Sequence, residues 1–158
     1  DPDSERLYVS CVGWWAVNDG GVEIVNPATL ASEGFLITEA AAGGDIFDFD
    51  FGGGGKGYAV IANSSFFTEL VSFNRSSGMK IATIYAPGAW VINDIGIAPS
   101  GELFLADQTV LDPGVRIYDT SDDTEISQGT VNTGLPPMAA ISERLAAIAL
   151  CPRSSKEV

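Results

Sequence analysis

The chain has 158 residues, 21 acidic against 8 basic side chains for a net charge of −13, and no histidine. That charge repels phosphate backbones and anionic lipid, so neither nucleic acid nor a membrane is expected as a partner. The lack of histidine removes Ser-His and Cys-His nucleophile pairs and every His-ligated zinc or copper site.

Two cysteines, Cys11 and Cys151, are too few for a structural zinc site within one chain. With 46% apolar and 18% charged residues the composition is that of a folded domain, and the length suits one domain with a real core. Val, Ile, Thr, Phe and Tyr fill the apolar stretches and 18 glycines punctuate them, a strand-and-turn vocabulary. No apolar run approaches the ~18 residues of a membrane span. The N-terminal DPDSERLYV lacks the basic-then-apolar layout of a signal peptide. An extracellular or periplasmic chain left after processing is the location this terminus allows.

In chain order, the first predicted strand is RLYVSCVG, followed by a loop bearing Trp14-Trp15 and then a strand ending at VEIVNPAT. DIFDFDF (45–51) alternates, with Ile46, Asp48 and Asp50 on one side and Phe47, Phe49 and Phe51 on the other. FGGGGKGY (51–58) superficially suggests a phosphate loop. It has Asp50 at the first motif position and Gly57 where Ser or Thr must follow Lys56, so it reads as a flexible hairpin. GYAVIANSSFFTELVSFNRSSGMKIATIY (57–85) repeats the first pattern, with Phe66-Phe67 in the place of the tryptophan pair. Trp90 precedes another short strand, INDIGIAP (92–99), and ELFLADQTVLDPGVRIYDTSDDTEISQGTV (102–131) is the third copy, with Val110-Leu111 in the loop. PPMAAIS (136–142) begins the cycle again, and SERL at 142–145 repeats SERL at 4–7.

The second strands of the three copies end at Asn26, Asn74 and Asp119, residues that start tight turns by bonding the backbone two residues on. Four strands in about 46 residues is the period of a β-propeller blade. The segment VINDIGIAPSGELFLADQTVLDPGVRIYDTSDD (91–123) resembles the repeats of the NHL/YVTN-like propeller group. The resemblance implies an all-β fold of four-stranded antiparallel blades; an evenly spaced β-sandwich is the competing architecture.

On the propeller reading, residues 1–142 hold a three-blade segment: strands b to d of one blade, two complete blades, and the inner strand a of a fourth. Residues 143–158 are then an overrun strand, or a short helix capped by Ser142, and a tail. Three blades and a fraction make an open arc, which leaves strand edges and blade faces uncovered. Closure by a second copy, with PPMAAIS supplying the partner's missing inner strand, gives a six-bladed homodimer. A piece of a longer propeller is the competing explanation. A Cys11–Cys151 disulfide across the seam is one pairing this arrangement allows, and free thiols are the other.

Two candidate sites follow. Asp48 and Asp94 recur on successive inner strands, where they would hold Ca²⁺ through oxygen ligands or bond neighbouring backbone amides. Trp14, Trp15, Phe66, Phe67 and Trp90 gather on the loop face near Glu39 and Asp45, either as a ligand-binding surface or as packing between blades. The expected function is a non-catalytic binding or scaffold module that assembles with itself and takes a small-molecule, carbohydrate or peptide ligand. The alternative is a Ca²⁺-assisted hydrolase or lyase using Asp48, Asp94 or Asp107.

Overall fold

The computed structural model describes residues 6–140. The second SERL, Cys151 and the expected overrun at 143–158 lie outside the described residues. The chain is all-β apart from one helix of four residues, and its strands form three antiparallel sheets. No helix among the described residues is long and apolar enough to cross a membrane.

The first sheet has three strands, β1 (Leu7–Cys11), β2 (Gly21–Asn26) and β3 (Ala31–Thr38), in the order of the chain. A short helix, α1 (Glu39–Ala42), follows directly. Thr38 caps it by accepting from Ala41 N at 3.2 Å, and Gly43 ends it in the left-handed conformation at φ 94°.

The second sheet has four strands: β4 (Asp45–Phe51), β5 (Lys56–Ala62), β6 (Thr68–Asn74) and β7 (Lys80–Tyr85). The four-glycine segment is the hairpin between β4 and β5, closed by Gly52 N donating to Lys56 O at 3.1 Å. The third sheet begins with β8 (Ile92–Ile97), β9 (Glu102–Asp107) and β10 (Gly114–Asp119). Its outer strand is split into β11 (Thr124–Glu125) and β12 (Val131–Asn132), both paired with β10. Gln128 and Gly129 between them have φ 53° and 122°, a reversal that an extended strand cannot contain.

The turns that end β2, β6 and β10 are built alike. Asn26 Oδ1 accepts from Ala28 N at 3.0 Å, Asn74 Oδ1 from Ser76 N at 2.9 Å, and Asp119 Oδ1 from Ser121 N at 2.8 Å. In each, the residue four further on donates its amide back to the first carbonyl: Leu30, Gly78 and Asp123. All three of those residues are left-handed, at φ 57°, 66° and 65°. The repeat read from the sequence is thus a repeat of structure.

The core lies between sheets, and β5 is its axis. Tyr58 and Val60 pack with Leu70, Ile92, Ile95, Ile97, Leu103, Leu105 and Tyr118 toward the third sheet. Ala59 and Ile61 pack with Val22, Ile37, Ala42, Ile46, Val71 and Phe73 toward the first. A strand covered on both faces reads as a continuous apolar run, which is why GYAVIA shows no alternation. Each large side chain so buried contributes about 1.5–3 kcal/mol.

DIFDFDF departs from strict alternation. Phe47 is an extra residue between Ile46, opposite Ile61, and Asp48, opposite Val60. This bulge puts Ile46 on the side of Phe49 and Phe51, in the cluster facing the first sheet, and leaves Asp48 and Asp50 facing the third. The expectation that Ile46 shares a side with the two aspartates is therefore corrected. No strand is assigned within 136–140, the described part of PPMAAIS.

Candidate functional site

Asp48 and Asp50 on β4 stitch the second sheet to the third. Asp48 Oδ2 accepts from Ile95 N on β8 at 2.8 Å, and Asp50 Oδ2 accepts from Ile97 N at 2.8 Å. Asp94 Oδ2 in turn accepts from Ala140 N. Asp48 and Asp94 stand at equivalent points, each four residues before the amide that closes its hairpin, Gly52 and Ala98. Ala140 therefore meets Asp94 as Ile95 meets Asp48.

The two carboxyls are also neighbours. Burial, together with the adjacent Asp94 carboxyl, pushes Asp48 up to about 6, against the bond from Ile95 N that favours its charged form. Ca²⁺ takes six to eight oxygens. This pair has one oxygen of each carboxyl committed to an amide, and no cluster of three or more acidic or thiol side chains suited to a metal occurs among the described residues. What the arrangement does is hold two sheets in register.

Asp107, at the end of β9, is fully buried. Its carboxylate accepts from Thr109 Oγ1 at 2.6 Å, Arg116 Nε at 2.7 Å and Tyr85 OH at 3.1 Å. Burial alone would raise its pKa, but these donors outweigh it and hold the carboxyl below its ordinary range. Arg116 also bonds Glu125 Oε1 at 2.9 Å and lies over the Tyr85 ring, 4.5 Å from its centre. With its donors supplied by the protein, Asp107 is a structural ion-pair partner within the third sheet.

Cys11 carries a thiol whose Sγ donates to Glu23 Oε2 at 3.6 Å, and burial and that carboxylate push its pKa up. Its proposed partner Cys151 is among the undescribed residues, as is the question of their pairing.

The aromatic residues form the most distinctive surface. Trp15 lies near-parallel to Phe66, ring centres 5.5 Å apart at 16°, and to Trp90, 5.5 Å apart at 28°. Phe47 meets Trp15 at 5.6 Å and Trp90 edge-on at 5.3 Å. The four rings come from the β1–β2 loop, β4, the β5–β6 loop and the β7–β8 connection. Three remain open to solvent, Trp15 at 39% exposed, Phe66 at 55% and Trp90 at 43%, while Phe47 is half-buried. Trp14, 80% exposed, and Phe67 take no part in the stack. Phe47 was placed by the sequence with the other phenylalanines of β4, and only the bulge, invisible in the sequence, brings it here.

Backbone hydrogen bonds hold each ring-bearing loop. Three carboxylates cradle the loop of Trp15: Asp19 Oδ1 accepts from Trp14 N at 2.8 Å, Asp45 Oδ2 from Ala16 N at 2.9 Å and Glu39 Oε2 from Gly20 N at 2.8 Å. Asn63 Oδ1 accepts from Ser65 N and Phe67 N, and the turn sets Phe66 at φ 62°. A bulky side chain in that region costs about 1–2 kcal/mol and persists only where its surroundings enforce it. Thr68 Oγ1 accepts from Val91 N and Ile92 N, which fixes the connection carrying Trp90.

Fold and site together define an all-β repeat protein with an exposed aromatic face. Compared with known proteins, the chain matches no family model, and no curated protein matches it either.

Proposed function

We propose that the chain is an arc of β-propeller blades that closes with a second copy of itself and binds a ligand on the aromatic stack of its loop face. The observation that carries the binding role is the stack itself: four rings from the first and second sheets and the connection leading to the third, their loops fixed by hydrogen bonds, with Trp15, Phe66 and Trp90 left open to water. Rings whose only task was packing would be covered.

Closure is supported by three features. The first sheet has three strands where the second has four. Ala140 occupies the place beside Asp94 that a following inner strand takes beside Asp48. Exposed apolar side chains mark both ends of the arc: Leu7, Val9 and Phe35 on the first sheet, and Val131 on the third with Leu135 and Met138 beyond it. In the closed assembly the segment around Ala140 lies against its own third sheet and pairs with β1 of the partner, making six blades in the usual range for propellers. No observation favours the hydrolase alternative.

Light scattering on the purified chain tests closure. A mass of twice 16.5 kDa is expected, and a monomer at micromolar concentration would sink the exchange of strands. Binding is tested separately, by a thermal-shift panel of neutral oligosaccharides, peptides and organic amines. At least one class should raise the melting temperature of the wild-type chain, and Trp15→Leu should abolish the shift.

A further inference from the structure

Asp45 begins β4, two residues before Phe47, and is 1% exposed. Its Oδ2 holds Ala16 N, the amide next to Trp15 in the chain, while its Oδ1 has no hydrogen-bond partner among the described residues. A buried carboxylate oxygen is costly unless something positive answers it. Glu39 is equally buried in the same neighbourhood, with Oε1 accepting from Ile46 N and Oε2 from Gly20 N. Two buried acidic side chains, one of them bonded to the amide that follows Trp15, therefore stand beside the ring-bearing loop in a chain that already carries −13.

Aromatic faces are themselves negative, and they attract cations whose own hydration is weak. We propose that Trp15, Phe47, Phe66 and Trp90 form the receptor for an alkylammonium group, with buried Asp45 supplying the long-range attraction. The proposal rests on the aromatic face being a binding surface and specifies what it binds. Primary ammonium groups hold their water tightly, whereas methylated ones shed it against rings, so a quaternary or methylated amine is the best fit. Asp45 need not touch the ligand: in a low-dielectric setting a charge acts through several ångströms of protein.

The test uses the full chain, with choline and its uncharged isostere 3,3-dimethylbutan-1-ol as probes, followed by tryptophan emission and calorimetry. Choline should bind at least about five-fold more tightly than the isostere. Trp90→Leu should weaken choline about ten-fold and the isostere less. Asp45→Asn, which keeps an acceptor for Ala16 N, should narrow the gap between the two probes. If Asp45→Asn fails to fold, the Trp90→Leu comparison decides alone. Equal binding of both probes, or no binding of choline, overturns the proposal. Neutral sugars or unmodified peptides binding through Trp15 while choline does not would overturn it and leave the binding face standing; a panel in which nothing binds removes both. A trimethyllysine peptide compared with choline identifies the source: tighter binding of the peptide places the ammonium on a protein partner, and equal binding makes it a free small molecule.

Discussion

The carboxyl of Asp48 accepts the backbone amide of Ile95 at 2.8 Å, 47 residues away in sequence and on the next sheet. That bond needs an acceptor and does not need a charge. Its setting, buried beside Asp94, favours the neutral acid, with a folded pKa of about 6.

A stability profile follows from this shift. Because the folded pKa lies above the unfolded one, the contribution of Asp48 is fully present below about pH 4 and is lost as pH rises through 6. The lost stability is on the order of 3 kcal/mol. Asp48→Asn retains an acceptor for Ile95 N and has no charge to bury, so it should flatten the profile between pH 4 and 6 and raise stability at pH 7.5. Urea unfolding at several pH values measures this. An undiminished slope in the variant would remove Asp48 as its source.

Close packing along β5 predicts a second outcome. A methyl group on Gly57 would lie 2.2 Å from Cζ of Phe73, whose ring is fully buried. Gly57→Ala should destabilise the chain by about 1–3 kcal/mol, because the ring must move inside a filled core. The double variant Gly57→Ala with Phe73→Leu should lose less than the two single losses combined, a coupling readable from denaturant midpoints.

Arg116 and Asp107 give a third. The 2.7 Å ion pair compensates a carboxylate that is fully buried. Arg116→Met keeps the stem over Tyr85 but removes the charge, and should cost about 3 kcal/mol at neutral pH. Since Asp107 is held below its ordinary pKa in the folded chain, its contribution is present above the unfolded pKa and disappears as pH falls through the folded one. The deficit of the variant should therefore shrink toward pH 3, and thermal melts at pH 3 and pH 7 compare the two. A deficit independent of pH would mean that packing, and not charge, is what Arg116 supplies.

Much of the architecture was legible in the residues because it depends on local chemistry. Asn26, Asn74 and Asp119 end their strands with the same side-chain turn, and that turn needs only an Asx residue followed by a few permissive ones. The apolar run of β5 likewise announces a strand covered on both faces. The glycine hairpin was excluded as a phosphate loop on its sequence alone and is a hairpin in the structure.

What tertiary structure alone decided is where side chains converge. The bulge at Phe47 moves Ile46 to the opposite side of β4 and sends the Phe47 ring into a stack with Trp15 and Trp90. Nothing in DIFDFDF signals it, since a bulge arises from the fit between two strands and not from the sequence of one. Of the five aromatic residues expected on the loop face, Trp15, Phe66 and Trp90 meet, while Trp14 and Phe67 do not. Their loops are fixed by carboxylates and hydroxyls distant in sequence, Asp45 for Trp15 and Thr68 for Trp90. The sequence by itself determined the recurring Asx turns and most of the strands between them, because short-range hydrogen bonding and apolar pattern suffice for those. The site belongs to the packing of one sheet on another, where contacts between distant residues set direction and spacing.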